Sequence, residues 1–463
     1  MFASHLAPTQ WMHCLPVEIL TEIFLFCLVP KTGPLSTPPS VCSSQAPLLL
    51  CHVCSSWRQL ALQTPALWTS LTIKVLPEDT LVVAERHSES ASCWFSRSKS
   101  HLIELEIGQY AYLQLEEYED IYSANFMIEL VRPQAERIRS LCLSFQDFHD
   151  LCCVLQYQDR EESLPHHAWS FPNLEYLTLN LHPYDTDNDG GSGNRVLTAL
   201  ESMPKLRTVV LNYVTMSNEP NINLPWAQLT CLVMENVTES LWRILLTQCP
   251  ALETGCFAYA ERDPEETLPT VDVILKRLNS LALDFHHPSD PSIFDGIHLP
   301  ALRELSLYMT DPITSFAWTA PEHMFLQLAF VTKLTLGKEI SARATINLFR
   351  AMTNVTTLSI EFSIVHIADV FAALTLGGRT DETLLPKLDA IWVQTSSICG
   401  HEVSNVVSIM AALVKMAASR SPSDAGPFGL APLREVLLDT IDTTLRADFN
   451  AILEQWSHKT DMP

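Results

Sequence analysis

The sequence predicts an α/β protein in which an N-terminal helical module precedes a long array of short parallel strands that alternate with helices. Three observations support this fold. A short apolar phrase recurs through most of the 463-residue chain, many consecutive copies start 23 to 29 residues apart, and many follow a proline. Because proline cannot continue a preceding helix, it suits the entry to a strand.

Each copy of the phrase has an apolar residue, two further residues, a second apolar residue, one residue and a third apolar residue. We call the three apolar positions anchors. Copies begin at Leu102, Ile138, Leu174, Leu206, Leu229, Leu278, Leu302, Val331, Val355, Leu388 and Leu433, and a degraded one, with Gly255 as its second anchor, at Leu252. The alternation predicts a strand with one buried face at each copy.

Apolar residues at three- and four-residue steps predict helices between the phrases, around 196–203, 241–245, 346–349 and 370–374. The phrase starts from 206 to 355 fit the period of roughly 20–29 residues of leucine-rich repeats. One such unit buries too little apolar surface to offset its ordering entropy. We therefore expect a stacked solenoid with a parallel sheet on its concave face. Spacings of 32 to 45 residues near both ends predict irregular, looped-out units.

Three helical segments are predicted in the N-terminal module. The first begins at Pro16, and its apolar residues cover more than one face, so other structure should surround it: Ile19, Leu20, Ile23, Phe24, Cys27 and Leu28. The second runs from about Leu49 to Ala61, and a short turn begins at Pro65. Residues 30–47 are rich in proline and serine and are predicted to form a disordered loop between the first two helices.

The module contains the motifs Leu15-Pro16, Glu18-Ile19-Leu20, Ile23-Phe24, Val53-Cys54, Trp57-Arg58 and Leu67-Trp68. Together, over about residues 14–73, these motifs resemble the F-box, in particular that of F-box proteins abundant in mushroom-forming fungi, which carry a degenerate leucine-rich tail. The long loop departs from the resemblance, because F-box helices are usually joined more tightly. Without the resemblance, the same helices would be interpreted as an ordinary cap on the solenoid.

The resemblance implies docking on a Skp1-like protein and, through it, on a cullin, as in helix-in-groove recognition. The implied contact residues are Leu15, Pro16, Glu18, Ile19, Leu20, Ile23, Phe24, Val53 and Cys54. The core of the module would be formed by Trp57, Leu60, Leu67 and Trp68.

The charge balance argues against nucleic acid as a partner. The chain has 29 Lys and Arg against 53 Asp and Glu, a formal net charge of −24, and no run of cations for a phosphate backbone. An acidic protein is steered towards basic partners instead. No secretory signal and no apolar run of about 18 residues is found, so we expect no membrane contact and a cytoplasmic or nuclear location with reduced cysteines.

No motif predicts a catalytic, cofactor or metal site. Residues 185–190 imitate the start of an EF-hand loop, but Val196 stands where a bidentate glutamate is needed. The cluster Cys51-His52-Val53-Cys54, with His13 and Cys14 nearby in sequence, lacks the second ligand pair of a typical zinc site. We therefore expect no enzyme activity.

The sequence thus predicts an F-box domain at 1–75, a connecting segment at 76–100 and a leucine-rich-repeat solenoid at 101–463. The resemblance implies a substrate-recognition adaptor of a Skp1-cullin-F-box ubiquitin ligase. A Skp1-binding or scaffold protein outside any ligase, and a hydrolase without a recognisable motif, remain open. Outward strand positions that could contact an unknown protein target are Glu175, Tyr176, Arg303, Glu304 and Trp392.

Overall fold

The computed structural model describes residues 15–28, 40–75, 81–109, 130–145, 170–181, 202–212, 222–259, 272–285, 294, 296–309, 328–337, 342–361, 367–376, 383–395, 403–420 and 430–440. The EF-hand-like segment, His13 and Cys14, and most of the predicted helix at 196–203 lie outside these residues. By its internal contacts the chain divides into two compact units, Met1–Pro225 and Trp226–Pro463.

The first unit opens with helices and continues with strands. Its helices are α1 (Val17–Phe26), α2 (Leu48–Val53), α3 (Ser55–Gln63) and α4 (Leu81–Arg97), with 3₁₀ turns at Pro65–Trp68 and Arg132–Arg137. Its strands are β1 (Ser70–Val75), β2 (Ile103–Gln109), β3 (Ile138–Phe145), β4 (Tyr176–Leu181) and β5 (Thr208–Asn212). The predicted connecting segment therefore contains helix α4.

The second unit alternates strands and helices. Its strands are β6 (Cys231–Val237), β7 (Thr254–Tyr259), β8 (Val273–Ile274), β9 (Ser280–Phe285), β10 (Ile297–His298), β11 (Glu304–Met309), β12 (Lys333–Leu336), β13 (Thr357–Glu361), β14 (Ala390–Thr395) and β15 (Glu435–Thr440). Its helices are α5 (Glu239–Gln248), α6 (Ala342–Ala351), α7 (Ile367–Leu374) and α8 (Val403–Ser419), and a 3₁₀ turn spans Trp226–Gln228. Helices α5, α6 and α7 lie where helical spacing predicted them.

The described strands of each unit pair in parallel, which confirms the predicted α/β class. In the first unit β1 to β5 pair in chain order. In the second unit the order is β6, β7, β9, β11, β12, β13, β14, β15, while β8 and β10 form a separate parallel pair. Apart from this pair, thirteen of the described strands pair in parallel, and every predicted phrase contributes one of them.

The anchors of neighbouring phrases lie opposite one another and, apart from Leu102, are buried. Leu305 lies opposite Leu281 on one side and Leu334 on the other, and all three are buried. The same kind of backbone bond recurs before many of the strands: the N–H of Arg303 donates to the carbonyl of Asn279 at 2.8 Å, and that of Thr332 donates to the carbonyl of Arg303 at 2.8 Å. Each phrase thus pairs with the next in the same way.

A fourth apolar position lies three residues before many first anchors. It was not predicted from the sequence. The N–H of Leu174 donates to the carbonyl of Phe171 at 3.2 Å, and the N–H of Leu302 donates to that of Leu299 at 3.2 Å. Residues at this position that form the same bond are all buried: Phe171, Met203, Trp226, Cys249, Leu299, Leu328 and Leu385. A turn with a buried residue therefore closes before each of these strands.

The degraded copy at Leu252 keeps its register because a neighbouring ring fills the gap. Gly255 lies opposite Leu232 and Leu281 in place of an apolar anchor. A Cβ atom at Gly255 would lie 2.7 Å from Cε2 of Phe257, the third anchor of the same phrase. The phenyl ring thus occupies the space that a second anchor would take, and a larger residue at 255 would displace it.

Two predictions for the N-terminal module differ from the structure. The second helix is not continuous, because the backbone at Cys54 is extended, with φ −158° and ψ 172°, and separates α2 from α3. The part of the predicted disordered loop that is described, residues 40–47, forms turns, and Ser40 makes an isolated parallel bridge to Thr72. The C-terminal part of the loop therefore pairs with β1 through Ser40.

Asparagine and lysine side chains just before the first anchors connect successive phrases. In the second unit Nδ2 of Asn354 donates to the carbonyl of Ala329 at 2.5 Å, and Nζ of Lys387 donates to Oδ1 of Asn354 at 2.5 Å. In the first unit Asn173 bonds to the carbonyl of Glu136 at 2.7 Å and accepts from Lys205 at 2.6 Å. The same side-chain bridge therefore occurs in both units.

Replacing Asn354 by alanine should lower the free energy of unfolding by about 1 kcal/mol, because one net hydrogen bond contributes about 0.5–1.5 kcal/mol. Denaturant unfolding of Asn354→Ala measures the change. The matched control is Thr353→Ala, at the exposed neighbouring position, for which we expect a change of at most about 0.5 kcal/mol. Equal changes for both variants would contradict a stabilising role of the bridge.

Candidate functional site

Helix α1 buries one face in the N-terminal module. Phe24 is fully buried, and its ring centroid lies 4.8 Å from that of Trp57 on α3. Leu20, one turn earlier, is half-buried on the same side. Phe24 therefore belongs to the interior, which corrects its assignment to the partner-binding residues: the i, i+4 spacing of Leu20 and Phe24 directs it towards α3.

Trp68 is the central buried residue of the module and joins it to α4. Its Nε1–H donates to the carbonyl of Ala61 at 2.8 Å, and its ring meets Trp94 of α4 edge-on, with centroids 4.8 Å apart. The Arg97 guanidinium lies 4.4 Å from the ring centroid of Trp68. Of the other predicted core residues, Leu67 is buried and Trp57 and Leu60 are half-buried.

The opposite face of α1 exposes an apolar stripe, formed by Leu15 just before the helix and by Ile19, Ile23 and Phe26. Their positions are separated by four, four and three residues, so they share one side of the helix. Ile19 is 48% exposed and Phe26 is 85% exposed. A helix in a folded monomer normally turns such a stripe inwards, so its exposure is unusual.

Further exposed apolar residues belong to the same N-terminal module. Nine of the fifteen large apolar residues that are exposed in the described part of the chain fall between residues 15 and 62, and they include Val17, Val41, Leu49, Val53 and Leu62. The charged neighbours on α1, Glu18 and Glu22, are both acidic and exposed. Such a concentration differs from the scattered exposed apolar residues of an ordinary surface.

Pro16 and Cys54, two further partner-binding residues predicted from sequence, are not fully buried. Pro16 is exposed, and its carbonyl accepts the first helical hydrogen bond, from the N–H of Leu20 at 3.1 Å. Cys54 is half-buried at the break between α2 and α3. Hydrogen bonds to Ser56, first to its hydroxyl, and to the backbone of Trp57 lower the pKa of the Cys54 thiol.

Four of the five predicted target-binding residues are exposed on or beside strands. Tyr176, in the first unit, is 44% exposed, and Glu175 before it is half-buried. In the second unit, Arg303, Glu304 and Trp392 are exposed. The Glu304 carboxylate lies 3.6 Å from Nζ of Lys333, and the Arg303 guanidinium lies 5.7 Å from the ring centroid of Phe330.

We call the side of the second-unit strands whose side chains alternate with the buried anchors the open face. Its last row follows the third anchors directly and includes Asp284, Tyr308, Glu361 and Gln394, with Gly337 after β12. Sequence reasoning missed this acid–tyrosine row, although the residue after each third anchor could have been compared across phrases. Burial raises the pKa of Tyr308, and Cys256, Glu361 and Asp284 raise it further, against an opposing hydrogen bond to Ser306.

Gly337 lets two side chains of the row converge from either side. A Cβ atom at this position would lie 2.7 Å from Cε1 of Tyr308 and 2.9 Å from Oε2 of Glu361. Tyr308 comes from β11 and Glu361 from β13, with β12 between them. The missing side chain therefore allows an aromatic ring and a carboxylate to meet over the middle strand.

The described residues contain no group of three or more His, Cys, Asp or Glu side chains that could hold a metal ion. Within the same part of the chain, no helix combines the length and apolar character needed to cross a membrane. Comparison with models of known protein families gives no match. A search of curated proteins likewise finds no sequence with significant similarity.

Proposed function

We propose that this chain is a non-catalytic adaptor whose N-terminal helices are an F-box that docks on a Skp1-like protein. The strand phrases that follow these helices are proposed to hold a protein target. The observation that carries the proposal is the apolar stripe of α1, which is exposed in a module whose other face is well packed. Its sequence motifs resemble an F-box, and the resemblance supplies the identity of the partner.

The energetics of the stripe favour a partner. Burying a large apolar side chain fully contributes roughly 1.5–3 kcal/mol, so four residues offer enough to offset part of the cost of association. Phe26, as the most exposed residue of the stripe, is the natural anchor for an apolar groove. The half-buried Leu20 and the buried Phe24 hold the helix in place on α3 and leave the stripe free.

The strand phrases that follow the N-terminal helices are proposed to form a leucine-rich-repeat solenoid. Three features support this part of the proposal: the in-register anchors, the fourth buried position before the strands, and the repeated backbone bond between successive phrases. Strand positions between the anchors point away from the buried side. These positions would present the target to the ligase, and catalysis by proximity requires no chemistry from this chain.

The test is a pull-down of a co-expressed Skp1-like protein by the full chain and by Ile19→Asp. We expect the variant to lose at least about tenfold in recovered Skp1-like protein, because a carboxylate would have to be desolvated in an apolar interface. Ile274→Asp is the matched control, since Ile274 is 56% exposed, is also isoleucine, and lies on β8 in the other unit. The control should bind like the unchanged chain.

Three outcomes separate the alternatives. Recovery of a Skp1-like protein together with a cullin supports the ligase adaptor, whereas recovery of the Skp1-like protein alone supports a role outside a ligase. Equal recovery with Ile19→Asp and the unchanged chain would show that the docking surface is not the apolar stripe. Thermal unfolding of both variants at unchanged temperature excludes misfolding as the reason for any loss.

A further inference from the structure

We propose that the open face of the second unit binds an extended protein segment in which a Lys or Arg lies two to four residues from an apolar side chain. The inference names the chemical class of target and rests on the capture role proposed above. Charge, exposed apolar surface and strand geometry support it independently.

The open face is predominantly acidic. The described side chains of the open face include five carboxylates and a single cation, Lys333, which already lies 3.6 Å from the Glu304 carboxylate. The carboxylates are Glu235, Asp284, Glu304, Glu361 and Glu435. A face of this sign repels nucleic acid and acidic surfaces and attracts a cationic segment. The formal charge of −24 on the whole chain steers in the same direction.

The same face also exposes apolar surface. Trp392 is 36% exposed and Leu437 is 47% exposed, and the two lie opposite each other on β14 and β15. Tryptophan and tyrosine are the side chains that most often dominate protein interfaces. Trp392 and Leu437 therefore offer an apolar contact beside the acid–tyrosine row.

The acidic and apolar contacts on this face are separated by a distance that a short extended peptide can span. The point above Gly337 where Tyr308 and Glu361 converge lies at β12, and Trp392 lies on β14, two strands further along the order β12, β13, β14. Strands are about 4.8 Å apart, so the separation across the sheet is roughly 10 Å. An extended chain advances about 3.3 Å per residue, so about three residues span this distance. A guanidinium or ammonium group over Tyr308 would meet both the ring and the Glu361 carboxylate.

The probe is a displayed library of random twelve-residue peptides, selected on the purified full chain. We expect enriched peptides to carry Lys or Arg two to four residues from a large apolar residue. The best peptide should lose at least about tenfold in affinity for Asp284→Asn combined with Glu361→Gln, and for Trp392→Ala, and should bind more weakly at high salt.

The matched control is Glu253→Gln combined with Asp272→Asn, which removes the same charge from two exposed residues of this unit outside the acid–tyrosine row. Its affinity for the peptide should stay within about twofold. Enriched peptides without excess Lys or Arg, or equal losses for both double variants, would overturn the inference. Pull-down of the Skp1-like protein by the same variants separates the two proposals, since it depends on the apolar stripe alone.

Discussion

Replacing Arg420 by methionine is expected to lower the free energy of unfolding by at least about 3 kcal/mol, because three buried carbonyls lose their donor at about 1–3 kcal/mol each. Arg420 follows α8 and is only 1% exposed. Its Nε donates to the carbonyl of Leu374 at 2.9 Å, and its two terminal nitrogens donate to Leu385 at 3.0 Å and Leu384 at 2.5 Å.

The planar fork of Arg420 is well suited to this role. Burial lowers the pKa of Arg420 to about 10, so the guanidinium remains protonated and donating at neutral pH. One of its acceptors, Leu385, has a backbone φ of 46°, in the left-handed region that leucine rarely adopts. The side chain thus ties the end of α7, this strained turn and the end of α8 together.

Denaturant unfolding of Arg420→Met measures the effect, and Arg343→Met serves as the control because Arg343 is exposed on α6. We expect the control to change the free energy of unfolding by at most about 0.5 kcal/mol. A comparably small change in Arg420→Met would mean that water or neighbouring groups satisfy the three carbonyls, and would contradict the proposed role of the fork.

Replacing Leu305 by alanine is expected to cost about 2–5 kcal/mol of unfolding free energy, since it deletes a buried side chain and leaves a cavity. Leu305 is the second anchor of its phrase, 1% exposed, between Leu281 and Leu334. Ser306→Ala, one residue later on the open face, loses only the hydrogen bond to Tyr308 and should cost at most about 1 kcal/mol. Similar losses for both variants would show that the two faces of β11 are not different.

The sequence was informative about the strands because their signal is local. Alternating anchors need only three residues, so all twelve phrases, including the degraded one at Leu252, occur on described parallel strands. A thirteenth copy was missed: Trp68, Leu71 and Ile73 follow the same spacing and lead into β1. It lies inside the stretch that resembles an F-box, and the resemblance had already accounted for Trp68.

Features that depend on neighbours could not be predicted in this way. The Leu102 copy matches the phrase, yet Leu102 is exposed while the other first anchors are buried. The break of the second helix at Cys54 leaves no local signal, because neither proline nor glycine marks it. The convergence of Tyr308 and Glu361 over Gly337 joins three strands that are distant in sequence, so only their pairing reveals it.

The apolar stripe of α1 could be predicted only in part from the sequence. Ile19 and Ile23 were recognised as contact residues from their motifs, but periodicity could not say which apolar residues face outwards, because they cover more than one side of the helix. The packing of Phe24 against Trp57 determines which side of the helix faces inwards. Phe26, which belongs to none of the motifs, is the most exposed residue of the stripe.

The backbone bond that recurs between successive phrases has an evolutionary consequence. The carbonyl of Asn279 accepts from the N–H of Arg303, and the carbonyl of Arg303 accepts from the N–H of Thr332, both at 2.8 Å. Loss or duplication of one whole segment between such positions would leave every donor matched to an acceptor. The chain could therefore exchange one strip of its open face for another while the pairing of the remaining strands is kept.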